Sequence, residues 1–236
     1  MNRNVFRLWG GPPCPPACCS SPPPPRGEAS ESLRLAGALV DAFRDAGGGE
    51  VDVLDLFADP LPAFAADETR AKMAVIGGEA PTGAAAVAWE EVLALGARVA
   101  AADALVLAAP MWNATVPWPL KLFIDTLTQP GVAFGFDPEA GYQGLLGGRR
   151  AVVLATSAVY APGVPPAFGI DFHVPYLEHW LQMCGFGPID VVRLQPAWPG
   201  DPSLDAHREA ALAQAAALGR ELGRAPAAAA AAGGLG

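Results

Sequence analysis

Lysine is almost missing from this chain. Only Lys72 and Lys121 occur, against thirteen arginines, in 236 residues with a formal net charge of −9. No basic patch is visible, which argues against a nucleic-acid partner. Long apolar runs are also missing. Typical runs, such as 104–109 and 151–155, fall far short of the ~20 residues a membrane helix needs. Cysteine is scarce and badly spaced for metal: Cys14, Cys18 and Cys19 sit in a Pro-rich head and Cys184 in a helical pattern, matching no zinc arrangement. The head lacks the continuous apolar stretch of a signal peptide, so cytoplasm is the expected location.

Three nucleotide and hydrolase signatures are missing as well. There is no Walker loop and no Gly-x-Gly-x-x-Gly. No Gly-x-Ser-x-Gly elbow precedes a helix, so hydrolase chemistry lacks its nucleophile. His173 and His179 lie six apart, a poor spacing for one helical face, and no third metal ligand is suitably placed. Catalysis in such a chain has to be carried by a cofactor.

What is present is an ordered α/β text. Hydrophobic residues make up 52% and charged residues 17%, enough for a full core. Residues 1–25 read as an irregular Pro-rich head with a weak first strand near Val5 to Trp9; proline lacks the donor that a central strand needs. Residues 26–225 read as one domain, and 226–236 as a disordered Ala/Gly tail. Within the domain, Ala36, Leu39, Val40 and Phe43 follow helical spacing, and Gly47-Gly48-Gly49 stops that helix. Val51 to Leu56 reads as a strand, 57–65 as a loop and 84–101 as a helix. Asp103 to Ala109 and Ala151 to Thr156 are fully apolar strands. Helices follow at Leu120 to Leu127, with Pro117 and Pro119 in its first turn, and at Leu177 to Cys184. A hairpin is expected within 131–142, a last strand at Ile189 to Leu194, and a final helix capped by Ser203. Apolar strands without alternation, each followed by a helix, predict a parallel sheet covered on both faces. Ligands of such sheets sit beyond the carboxyl ends of the strands.

Three loops meet that condition. Around Ser30 and Ser32, hydroxyls and unpaired amides gather at a helix start, which suits an anion; Glu28 and Glu31 oppose it, and Ser30 serves equally well as a plain N-cap. In Pro110-Met111-Trp112-Asn113, Trp112 offers a flat apolar wall and Asn113 a donor and an acceptor. A packed Trp followed by a turn Asn reads the same way. In Thr156-Ser157-Ala158-Val159-Tyr160, Tyr160 can stack on a ligand or simply cover the edge of the core.

At this point the residues resemble a family. Ala109-Pro110-Met111-Trp112-Asn113, followed by Leu120-Lys121-Leu122-Phe123-Ile124-Asp125, is similar to the Ala-Pro-Met-Tyr-Asn and Leu-Lys-x-Tyr/Phe-Ile/Phe-Asp pattern of the FMN-dependent NADH-azoreductases and NAD(P)H:quinone reductases. Gly131-Val132-Ala133-Phe134, Asp171-Phe172, Pro175-Tyr176-Leu177, Gly185-Phe186, Asp55-Leu56 and Pro60-Leu61-Pro62 match it further, in order, over roughly 26–222. The resemblance implies a flavodoxin-like, doubly wound, five-stranded parallel sheet of order 2-1-3-4-5 with helices on both faces. It implies FMN as cofactor, NADH or NADPH as co-substrate, a small quinone or azo acceptor, a ping-pong hydride mechanism and a homodimer. By position, Ser21, Ser30 and Ser32 hold the phosphate. Pro110, Met111, Trp112, Asn113, Thr156, Ser157 and Ala158 line the isoalloxazine. Ala114, Phe136, Tyr160 and Phe172 form the acceptor pocket. The chain departs from the pattern in three places. Extra prolines separate Ser20-Ser21-Pro22 from Arg26-Gly27, Ala158-Val159 replaces a Gly-Gly, and Ala114 replaces a common aromatic. The altered third loop and Ala114 raise the alternative of a specialised-pathway tailoring or flavin reductase. The interrupted head raises that of a cofactor-less interaction protein.

Overall fold

The computed structural model describes residues 5–8, 30–59 and 61–225. Ser21, the prolines of the head and the Ala/Gly tail lie outside them. In chain order the elements are β1 (Val5–Leu8), α1 (Glu31–Asp45), β2 (Val51–Leu54), α2 (Ala66–Ile76), α3 (Ala84–Ala100), β3 (Ala104–Pro110), α4 (Trp118–Leu127), β4 (Phe134–Asp137), β5 (Gly141–Gly144), β6 (Arg150–Thr156), α5 (Val174–Met183), β7 (Ile189–Leu194) and α6 (Leu204–Arg224). A 3-10 turn spans Pro166–Phe168. None of the described helices is long and apolar enough to cross a membrane.

Five strands form one sheet in the order β2-β1-β3-β6-β7. The central strands explain their own composition. Leu105, Leu107 and Ala109 point to the face covered by α3, α4 and α5, while Ala104, Val106 and Ala108 point to the face covered by α1 and α6. With both faces buried, no position is left for a polar side chain. Helix α6 lies on α1 through its small residues: a Cβ at Gly219 would sit 2.1 Å from the Leu39 carbonyl oxygen. The β4–β5 hairpin stands apart from the sheet and is pinned at its base, where Leu146 N donates to Cys184 O at 2.9 Å.

The expected all-parallel sheet is corrected to a mixed one. Strand β1 runs antiparallel to both neighbours, with Val5 opposite Leu54 and Leu107 and Leu8 opposite Val51 and Ala104. The expected order 2-1-3-4-5 becomes 2-1-3-6-7 because the separate hairpin supplies the fourth and fifth strands of the chain. The reversal keeps the faces right: Val5 joins the core beside Leu107, while Phe6 and Leu8 join the other core beside Val106 and Ala104. The carboxyl end of β1 therefore lies at the edge away from Pro110 and Thr156. Helix α2 was not read in the sequence. Its only buried side chains are Glu68 and Ala71, so it has no apolar stripe to reveal it.

Candidate functional site

The β3 and β6 strands end level, Pro110 opposite Thr156, and their loops are tied by Met111 N donating to Thr156 O at 2.7 Å. The chain then makes a two-residue reverse turn. Trp112 N donates to Thr115 O at 2.8 Å and Thr115 N to Trp112 O at 3.1 Å. Asn113 and Ala114 occupy its corners with φ of 48° and 69°, the positive pair of a type I′ turn. Asn adopts this backbone readily; for Ala it is strained. The turn leaves Trp112 41% exposed, its ring 5.8 Å from Phe57, and Phe57 lies edge-on to Trp118 at 6.4 Å. Phe57 is placed by the loop after β2, where Phe57 N donates to Asp55 Oδ1 at 3.0 Å and Asp55 N to Asp59 Oδ2 at 2.7 Å. Beside these rings is a cavity of about 480 Å³ lined by Phe64, Trp112, Asn113, Val116, Trp118 and an ion-paired Lys121 and Asp125, among others.

The third loop is held from within. The Ser157 hydroxyl donates to the Tyr160 carbonyl, and Ala197 N donates to Ser157 O at 2.7 Å. Ser157 is buried, so its side chain shapes the loop. Ala158 and Val159 face outward. Phe172 N donates to Ala114 O at 3.1 Å, and Thr115 Oγ1 to Phe172 O at 3.3 Å, so two predicted acceptor residues, Ala114 and Phe172, meet. Phe136 lies elsewhere, in the hairpin, with its ring 5.3 Å from Tyr142. A second cavity, of about 380 Å³, lies along Ala158 and Val159, between the third loop and the segment after β7. The amides of Asn113 and Ala158 make no hydrogen bond among the described residues.

At the start of α1, the Ser30 and Ser32 hydroxyls are 3.3 Å apart. Neither caps the helix with its side chain, and the first intrahelical donor is Arg34 N, to Ser30 O at 3.0 Å. The earlier amides are left for an anion. The opposing carboxylate of Glu31 is neutralised from α6: Arg208 Nε donates to both its oxygens at 3.1 Å and Nη2 to Oε1 at 2.8 Å.

Behind the turn, Asp171 Oδ1 accepts from the amides of His173 and Val174 at 2.9 Å and so caps α5. Its other oxygen is 3.4 Å from Arg193. His173 is fully buried, and among the described residues neither of its ring nitrogens has a partner. Burial pushes its pKa down to about 4, with Arg193 adding to the effect and Asp171 opposing it; at neutral pH the ring carries no charge. Burial pushes the Cys184 thiol up to about 12, which makes it inert.

A family model described as flavodoxin-like fold matches residues 22–218. The chain is 43% identical over 173 residues to the FMN-dependent NADH:quinone oxidoreductase of Ruegeria pomeroyi, covering 73% of this chain and 85% of that protein. It is 40% identical over 198 residues to the FMN-dependent NADH:quinone oxidoreductase of Nitratidesulfovibrio vulgaris, covering 83% and 94%. The chain belongs to this flavodoxin-like family of quinone oxidoreductases. The crystal structure of an azoreductase from Bacillus anthracis str. Sterne superposes with a TM-score of 0.74 at 24% identity, over 82% of this chain and 93% of that one, and shows the shared fold.

Several aromatic side chains beside these loops carry no signal that was singled out in the sequence. Phe57, Phe64 and Trp118 surround Trp112, and Trp198 stands over the third loop's cavity. Their common signal is an aromatic in a loop at, or a helix start just beyond, the carboxyl end of a strand, a place where a buried core does not need one.

Proposed function

We propose that this chain is an FMN-dependent NADH:quinone oxidoreductase acting on quinone or azo acceptors by alternating occupancy of one site. The observation that carries the reading is the meeting of an exposed Trp112 with uncommitted amides at Asn113 and Ala158, on loops locked together through Met111 and Thr156. A flat heterocycle with polar edges fits a flat apolar wall flanked by free donors. Bound FMN supplies the two-electron chemistry, taking hydride from a reduced nicotinamide and passing it to the acceptor.

The residues have distinct tasks. Pro110, Met111, Trp112 and Asn113 form the wall and edge for the isoalloxazine. Thr156, Ser157 and Ala158 present the second edge through backbone. Ser30 and Ser32, with the first amides of α1, which have no acceptor among the described residues, receive the phosphate. Ala114, Tyr160 and Phe172 border the acceptor, with Phe136 reaching it from the second subunit of a cytoplasmic homodimer. The exposed Phe136 and Tyr142 of the hairpin suit such a contact.

The test is direct. Purified protein titrated with FMN is expected to show the flavin absorbance bands shifting on binding, and then to consume NADH when a quinone is added. Colourless protein that takes up no FMN at high micromolar concentration would overturn the reading. The reversed β1 favours one competing reading, a cofactor-less binding protein, because its carboxyl end does not feed the phosphate side. The same titration decides between them.

A further inference from the structure

We propose that the cleft between the third loop and the segment after β7 is an acceptor subsite that takes uncharged planar aromatics and disfavours anionic ones. The inference rests on the oxidoreductase reading above and adds the substrate class.

The cleft holds about 380 Å³, within the range of pockets that enclose small aromatic ligands. It opens at the carboxyl edge of the sheet, where ligands of this architecture bind. One wall is Ala158 and Val159, directly after Thr156 and Ser157; the other is Trp198. The walls are joined by Ala197 N donating to Ser157 O at 2.7 Å. Phe168, Val159 and Trp198 are each at least half exposed, so three apolar side chains face one opening.

The indole is held in place. Asp201 N donates to Trp198 O at 2.9 Å, closing a turn in which Gly200 lies under the ring. A Cβ at Gly200 would stand 2.8 Å from the indole nitrogen. Trp198 thus lies against Gly200 and leaves an exposed face on which a planar ring can stack.

The charge is one-signed. Among the described residues, Asp201 is the one ionisable group lining the cleft. Its Oδ1 accepts from Ser203 N and Ser203 Oγ at 2.8 Å, and these bonds hold its carboxyl below the usual range. His207 of α6 lies near it. The neighbouring cation, Arg193, is engaged with Asp171 and Gln195. A sulfonate entering this cleft meets a carboxylate and, among the described lining residues, no counter-cation.

The experiment uses FMN-loaded protein with NADH at saturation and pH about 8, where histidine is neutral. The acceptors are 1,2-naphthoquinone and 1,2-naphthoquinone-4-sulfonate. Raising salt from about 20 to about 300 mM is expected to raise kcat/KM for the sulfonate several-fold relative to the neutral quinone. Asp201→Asn and Val159→Lys are each expected to raise the sulfonate-to-neutral ratio about tenfold, and Trp198→Ala to raise KM for the neutral quinone about tenfold without changing FMN affinity. Ratios indifferent to salt and to both charge variants overturn the inference. So does Trp198→Ala that leaves KM alone and lowers the oligomeric mass, which assigns the face to a second copy of the chain. Wild-type protein that binds no FMN, or turns over neither quinone, overturns the oxidoreductase reading and this inference with it.

Discussion

His173 gives the chain a specific acid sensitivity. Its side chain is fully buried with neither ring nitrogen bonded. Its pKa falls from the ordinary 6.5 to about 4. The native state thus holds the ring neutral, while the unfolded chain protonates it below pH 6.5. Because the unfolded state binds the extra proton, stability rises with pH, is fully present above about 6.5 and is lost as pH falls toward about 4. The full span corresponds to about 3 kcal/mol, of which about 2 kcal/mol is already gone at pH 5. Asp171 and Arg193 are the charged groups that act on the ring, the first opposing and the second adding to the effect of burial. The measurement is urea unfolding at several pH values between 7.5 and 4.5, at one fixed FMN concentration, for wild type and His173→Leu. Carboxylates elsewhere contribute equally to both proteins. The wild type is expected to lose about 2 kcal/mol more than the variant between pH 7.5 and 5. Parallel curves would refute the reasoning and mean that the ring is solvated or bonded in the folded state.

Three further outcomes follow from particular contacts. Ala114→Gly removes the strain of a side chain at φ 69° and is expected to stabilise the protein by about 0.5–1 kcal/mol, seen as a rise of a few degrees in Tm; an unchanged or lower Tm contradicts the strained turn. Gly219→Ala places a Cβ 2.1 Å from a backbone oxygen of α1. The expected loss is about 2–4 kcal/mol in chemical unfolding, and a neutral result would mean that α1 and α6 are not in close contact. Arg208→Ala leaves Glu31 with only a 3.8 Å contact to Arg34 at the helix start that receives the phosphate. FMN affinity should fall about tenfold and recover in Arg208→Ala with Glu31→Gln, as read by fluorescence titration; failure of the second change to restore binding would exclude a charge effect.

Much of this architecture was legible in the sequence because each local pattern has one physical solution. Leu105 to Ala109 and Ala151 to Ala155 carry no polar position, which only a strand covered on both faces explains. The Leu120, Phe123, Ile124 and Leu127 spacing gives α4 its buried side, and Ile189–Leu194 is the strand expected. The loops at Pro110 and Thr156 follow from where those strands end, and the family resemblance was readable there. By itself, then, the chain determined the central strands, the helices with an apolar stripe and the loops that follow those strands, but not α2, which has no such stripe.

The tertiary structure decided the rest. Alternation in Val5–Leu8 is blind to direction: a strand reversed in this register still presents Val5 to one core and Phe6 and Leu8 to the other. Only pairing with Leu107 and Leu54 fixes it as antiparallel. Glu31 looked hostile to an anion until α6, far along the chain, brought Arg208 against it. His173, in the sequence only half of a badly spaced pair with His179, is fully buried by packing, and its ring finds no partner among the described residues. Periodicity reports how a segment meets its own neighbours, whereas strand direction, charge pairing and desolvation depend on which distant segments arrive beside it.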